Sequence, residues 1–220
     1  MGMKAALWNA RLYAILDLGY VAGERAVPVC RELVAGGAQV VQLRAKGHDP
    51  AGLAGLAREV AGICRTAGVP FIVNDHPGLA REVGADGVHV GQDDLTVAEA
   101  RAQAGGGVLV GKSTHSPEQA RAAFAEAPDY IGFGPLFSTP TKPDYVAVGL
   151  GEIRGVEESA PVPVFCIGGI KEGNLGRVLA AGARRVVIVS GLLQAGNVAG
   201  ACRRVRRVLD AAQGAAGEAG

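Results

Sequence analysis

Several short stretches of this chain carry polar and charged residues directly after apolar runs, and their types and spacing suit the holding of phosphate. In Gln42-Leu43-Arg44-Ala45-Lys46, strand-like alternation puts Gln42, Arg44 and Lys46 on one side. Two cations and an amide suit a diphosphate, the arginine as a planar fork and the lysine as a mobile point charge. Taken alone, the same charges also fit a solvated loop mouth.

Two further stretches, Asn74-Asp75 and Gly91-Gln92-Asp93-Asp94, supply carboxylates beside amides. Magnesium commonly takes one or two protein carboxylates and completes its shell with phosphate and water, so Asp75 and Asp94 are candidate Mg2+ ligands. Plain capping carboxylates are the alternative, and Asp93 suits a helix cap. In Gly111-Lys112-Ser113-Thr114-His115-Ser116-Pro117 a hydroxyl can face a pocket, and Ser116-Pro117 reads as a helix start. Residues 134–144 form the longest stretch without periodicity, a candidate lid whose hydroxyls and Lys142 could close over phosphate. Gly168-Gly169-Ile170 and Val189-Ser190-Gly191 follow two late apolar runs, where glycine lets backbone N–H groups approach an anion.

These stretches need a scaffold that makes them converge. Val/Ile/Leu-rich runs at 11–16, 39–43, 69–73, 87–90, 108–110, 130–133, 162–167 and 186–189 read as strands. Helical periodicity covers 24–35, 50–67, 78–83, 97–104, 117–126, 153–158, 172–181 and 198–211. Eight such βα units in 220 residues predict an α/β fold, a single (β/α)8 TIM barrel over residues 1–220, with active-site residues at the C-terminal strand ends. Residues 1–10 read as an N-terminal extension, with Leu7 and Trp8 packing on the barrel bottom or a helix. Residues 213–220 read as a frayed, disordered tail. Gly105-Gly106-Gly107 precedes a strand rather than a helix, which argues against a dinucleotide fold.

Composition agrees with that scaffold. Apolar residues make up 49% of the chain but aromatics only 5%, the filling expected between parallel strands and their helices. Lysine and arginine number 22 against 21 aspartate and glutamate, so no global field favours nucleic acid or an anionic membrane. Small-molecule substrates are the expected partners, and a homo-oligomer is left open. The four cysteines lack metal spacing and read as reduced, buried thiols. With no apolar run of spanning length and no secretion-type leader, the expected location is cytoplasmic.

Taken in order, Tyr13-Ala-Ile-Leu-Asp17, Gln42-Leu-Arg-Ala-Lys46, Asn74-Asp75, Asp86-Gly-Val-His-Val-Gly-Gln-Asp-Asp94, Gly134-Pro-Leu-Phe-Ser-Thr-Pro-Thr-Lys142, Ile167-Gly-Gly-Ile170 and Val189-Ser190 resemble the thiamine phosphate synthase family. That resemblance implies a transferase joining 4-amino-2-methyl-5-(diphosphomethyl)pyrimidine to a thiazole phosphate. By the same resemblance Gln42, Arg44, Lys46 and Asn74 bind the pyrimidine diphosphate, with Ser113 and Lys142 as further contacts, and Asp75 and Asp94 hold magnesium. Thr139, Thr141, Gly169, Val189 and Ser190 match the thiazole phosphate site. Arg44, Lys46, Lys142 and Ser113 are the candidate catalytic residues.

The chemistry implied needs no protein nucleophile, because the thiazole nitrogen attacks, and no Ser/His/Asp or Cys arrangement is evident. A related thiazole tautomerase also resembles Gly111-Lys-Ser-Thr-His-Ser116 and Val189-Ser-Gly191, with His115 as general acid/base. A non-catalytic thiazole phosphate binder is a third reading. The diphosphate-and-metal set of Lys46, Asn74, Asp75, Asp94, Thr141 and Lys142 separates the synthase from the tautomerase, and a pure binder should hold thiazole phosphate without turnover.

Overall fold

Strand and helix alternate throughout the computed structural model, which describes residues 2–138 and 146–217. A short helix α1 (Met3–Asn9) precedes β1 (Leu12–Asp17), α2 (Gly23–Ala35), β2 (Val40–Arg44), α3 (Pro50–Ala67), β3 (Phe71–Asn74) and α4 (Pro77–Val83). The chain continues through β4 (Gly87–Val90), α5 (Val97–Ala104), β5 (Leu109–Thr114), α6 (Pro117–Ala125), β6 (Tyr130–Phe133) and α7 (Ile153–Ser159). It ends with β7 (Val164–Cys166), α8 (Glu172–Ala180), β8 (Val186–Ile188), α9 (Ser190–Leu193) and α10 (Val198–Gly217). Each strand pairs in parallel with the next, and β8 returns to β1, closing the barrel. This is the predicted single (β/α)8 TIM barrel.

Local chemistry sets the helix ends. Asp49 accepts from the Ala51 N–H, Pro50 opens α3, and Gly68 closes it at φ +67°, a left-handed conformation that costs glycine no Cβ clash. Thr96 and Glu99 form a reciprocal capping box on α5. Thr96 is therefore the cap, and the expectation that Asp93 caps this helix is corrected. Ser116 accepts from the Gln119 N–H at the start of α6, as its sequence predicts.

The strands bury both faces, in two separate clusters. Outward-facing Leu12, Ala14, Leu16, Val41, Leu43, Val88, Val110 and Ile131 meet the helices. Inward-facing Tyr13, Ile15, Val40, Ile72, Leu109, Tyr130, Phe165 and Val187 fill the barrel. Full burial of such a side chain is worth roughly 1.5–3 kcal/mol. The Phe165 ring stands edge-on to Tyr13 and Tyr130, at 5.3 and 5.6 Å between centroids. Leu7 of α1 joins this inner cluster and is buried. Trp8 stays half exposed, with the Arg185 guanidinium 5.6 Å from its ring centroid.

At the other end α10 continues to Gly217, so the tail expected from Gln213 is helical over its first residues. Cys30, Cys64, Cys166 and Cys202 are free and buried, as expected. Among the described residues no helix is long and apolar enough to cross a membrane.

Candidate active site

At the C-terminal strand ends the inward positions change from apolar to polar, and a cleft with two halves opens there. One half is lined by Gln42 and Arg44 of β2 with Lys46 beyond it, Asn74 at the end of β3 with Asp75 beyond it, and His89 and Asp94 from the β4 side. The other is lined by Gly168, Gly169 and Ile170 after β7, Val189 and Ser190 after β8, and His115 after β5. Arg44 and Ser113 line both halves and so stand on the seam between them. The candidate residues at described positions thus line one cleft. Thr139, Thr141 and Lys142 lie outside the described residues.

Alternation explains which side chains enter. Ser113 points inward from β5, whereas its neighbour Lys112 is buried on the outer side, with Nζ 3.5 Å from the Leu95 carbonyl and 3.9 Å from Glu126. Gln42 and Arg44 point inward, with buried Leu43 facing the helices between them.

Arg44 is held in place by a residue that the sequence reading left without a role. Its Nη1 lies 2.6 Å from Oδ2 of buried Asp17, whose Oδ1 accepts the Gly19 N–H at 2.9 Å. The signal was a carboxylate at a strand end.

The carboxylates of the first half are close together. Asp75 adopts φ +61°, a left-handed conformation that aspartate tolerates better than most residues but that still costs on the order of 1 kcal/mol. Its N–H donates to the His89 carbonyl at 2.9 Å. Burial, and then the Asp94 charge beside it, push the Asp75 carboxyl above the usual range, with Lys46 and His76 pulling the other way. Asp94 Oδ2 accepts the Gly91 N–H at 2.7 Å, which folds the loop after β4 back on itself. Two crowded carboxylates in a half lined by Arg44 and Lys46 have the charge and the oxygens that a magnesium–diphosphate pair would need. Among the described residues no group of three or more His, Cys, Asp or Glu side chains is arranged around a metal, so a metal here would draw further oxygens from substrate and water.

Below the cleft runs a polar chain that sequence reasoning did not find. Gln42 Nε2 donates to Tyr13 Oη at 2.7 Å, Tyr13 Oη lies 3.0 Å from Tyr130 Oη, and Tyr130 Oη lies 3.1 Å from His89 Nδ1. His89 Nε2 is 2.9 Å from Ser113 Oγ. His89 is hydrogen-bonded, as its place within a strand suggested, but it also faces the cleft. The sequence reading gave neither tyrosine a role.

In the second half the loops after β6 and β7 pack tightly together. A Cβ at Gly168, where φ is +102°, would lie 2.4 Å from the Pro135 Cα, so only glycine fits. His115 Nδ1 donates to the Gly134 carbonyl, which fixes the ring against that loop.

A barrel of this kind, with acidic and cationic strand ends on one side and glycine-rich loops on the other, belongs to the phosphate-handling (β/α)8 enzymes. The thiamine monophosphate synthase family model matches residues 12–192. The thiamine-phosphate synthase of Thermus thermophilus is 48% identical over 177 residues, covering 80% of this chain and 85% of that protein. That of Chloroflexus aurantiacus is 40% identical over 204 residues, covering 92% and 94%. The thiamine phosphate pyrophosphorylase of Pyrococcus furiosus superposes with a TM-score of 0.86 at 29% identity, over 96% of this chain and 99% of that one. The chain belongs to the thiamine monophosphate synthase family, and it is a transferase. A 3-hexulose-6-phosphate synthase with a TM-score of 0.66 and 17% identity shares the fold.

Proposed function

We propose that this chain couples 4-amino-2-methyl-5-(diphosphomethyl)pyrimidine to thiazole phosphate with magnesium, forming thiamine phosphate and diphosphate. The observation that carries this reading is the shared seam: one cleft has a half with two carboxylates and two cations and a half with glycine-rich loops, and Arg44 and Ser113 line both. A coupling enzyme needs two anionic substrates side by side, and an isomerase needs one.

The reaction breaks the C–O bond between the pyrimidine methylene and diphosphate, the electron pair leaving with the diphosphate. The lone pair of the thiazole nitrogen then forms the new C–N bond. Arg44 and Lys46 bind the departing diphosphate, with Gln42 and Asn74 as amide contacts and Lys142 as a further cation. Asp75 and Asp94 would hold magnesium, which as a Lewis acid neutralises charge on the leaving group. Gly169, Val189 and Ser190, with Thr139 and Thr141, hold the thiazole phosphate so that its nitrogen faces the methylene. The inner apolar floor of Ile15, Ile167 and Val187 keeps water from the electron-poor carbon. Free buried thiols suit a reducing compartment, and we place the protein in the cytoplasm.

Mixing both substrates with and without magnesium tests the reading. Thiamine phosphate and diphosphate should form in equal amounts only with the metal. No product in either mixture, alongside measurable thiazole tautomer exchange, would overturn it.

A further inference from the structure

Among the described residues no buried side-chain nitrogen or oxygen lacks a hydrogen-bond partner, so donors and acceptors can be assigned in turn along the polar chain below the cleft. Its first bond has a fixed direction. Gln42 donates from Nε2 to Tyr13, so the Tyr13 oxygen is an acceptor there. The other partner of Tyr13 is Tyr130, and the Tyr13 proton must go to it. If Tyr130 donated to Tyr13 instead, the Tyr13 proton would have no acceptor. Tyr130, having accepted, donates its own proton to His89 Nδ1. A ring that accepts at Nδ1 is neutral and carries its proton on Nε2, which then donates to Ser113 Oγ.

Burial drives this order as well as geometry. Both tyrosines are about 1% exposed, and burial pushes both hydroxyls well above the ordinary tyrosine range, so they remain O–H donors. Gly111 supports the pair: a Cβ there would lie 2.1 Å from the Tyr130 ring, so the missing side chain makes room for Tyr130 to cross the barrel toward Tyr13.

We propose that Tyr13 and Tyr130 are positioning residues that set the tautomer of His89 and thereby turn the Ser113 hydroxyl into a donor aimed at the bound substrate. Ser113 accepts from His89, so its own proton is directed into the cleft, at the seam between the two substrate halves. A fixed O–H there stabilises an oxygen that gains negative charge, and a rotating one is worth less. The Gln42 amide, itself facing the diphosphate half, starts the chain that ends at Ser113. The two contacts are therefore linked through three groups, Tyr13, Tyr130 and His89, rather than held separately. What Ser113 meets rests on the coupling reaction proposed above; the direction of the chain does not.

The test is 15N NMR of the full chain with labelled histidine, without substrates, the His89 signals being identified by their loss in His89→Asn. The expected result is a neutral ring protonated at Nε2. A ring protonated at Nδ1, or at both nitrogens, would overturn the proposal without touching the coupling reaction, whereas failure to couple substrates would leave the tautomer result standing. Tyr130→Phe should then mix the two tautomers and lower kcat about tenfold while KM for thiazole phosphate stays unchanged. An unchanged tautomer and kcat in that variant would also overturn it. The wild-type measurement decides the direction even if the variant folds poorly.

Discussion

Asp17 and Arg44 are register partners across β1 and β2, and at their shared strand end the Asp17 carboxylate holds the Arg44 guanidinium at 2.6 Å. Asp17 is 2% exposed, so the pair is poorly screened. One nitrogen of the fork is occupied, which fixes the plane of the other N–H groups at the seam of the cleft.

Asp17→Asn keeps the volume but removes the charge. It should raise KM for the diphosphate substrate about tenfold and lower stability by about 1.5–3 kcal/mol, the range for a hydrogen bond to a charged group. Arg44→Lys should cost more in kcat/KM, because a point charge cannot serve Asp17 and a phosphate together. Steady-state kinetics with urea unfolding reads both. Unchanged KM in Asp17→Asn would mean that Arg44 needs no anchor.

Asp94 is exposed at a loop mouth and fills no core volume. Asp94→Ala should therefore reduce magnesium-dependent turnover at least about a hundredfold while changing stability by less than about 1 kcal/mol. Gly91→Ala is a subtler version, since the added Cβ would lie 2.7 Å from Asp94 Oδ2 and displace the carboxylate without removing it. It should raise the magnesium concentration needed for half-maximal rate. Parallel losses of melting temperature and activity in Asp94→Ala would argue for a structural role instead.

Much of this was legible in sequence because parallel strands are apolar and their ends are not. The runs at 87–90 and 130–133 are the observed β4 and β6. β5 extends to Thr114, well past its apolar run, because pairing with β4 and β6 is made by backbone groups whatever the side chains are. Its polar end was assigned to a loop for that reason. The helix α1 was missed since seven residues hold too little periodicity; Leu7 becomes meaningful only when it plugs the barrel. The strand-end rule placed Gln42, Arg44, Asp75 and Ser190. It could not reveal Tyr13 and Tyr130, whose spacing matches core residues and whose hydroxyls meet across 117 positions of sequence.

Two buried carboxylates away from the cleft should give opposite pH signatures. Burial alone would raise the Asp129 carboxyl, but Lys4 at 2.8 Å, the Val110 N–H at 2.9 Å and Arg101 at 3.0 Å outweigh it and hold it below the usual range. Its folded pKa is depressed, so its contribution is present above about pH 4 and lost as pH falls through the folded value. Glu157 is pushed up by burial despite the Arg184 N–H at 3.0 Å and the charges of Arg185 and Arg184. Its folded pKa is raised, so it costs stability as pH rises above about 4.3. Urea midpoints from pH 3 to 7 should show a flatter acid limb in Asp129→Asn and a gain toward neutral pH in Glu157→Gln. An acid limb identical to wild type in Asp129→Asn would exclude that carboxylate as its source.

Gly111 offers a stringent check on the inner layer. It faces Tyr130 across the β5–β6 register, and the Cβ of an alanine would lie 2.1 Å from Tyr130 Cζ and 2.5 Å from its hydroxyl oxygen. Both atoms belong to a side chain whose ring packs against Tyr13 and Phe165, so it has no room to swing away. Gly111→Ala should destabilise the barrel by about 3 kcal/mol, at the upper end for overpacking. The double variant Gly111→Ala/Tyr130→Leu should recover much of that loss by clearing the ring, yet its activity should stay low because the hydroxyl joining Tyr13 to His89 is gone. Unfolding midpoints and kcat of the two variants read this out; recovery of both stability and activity would show that the ring fills space and the hydroxyl does nothing for turnover.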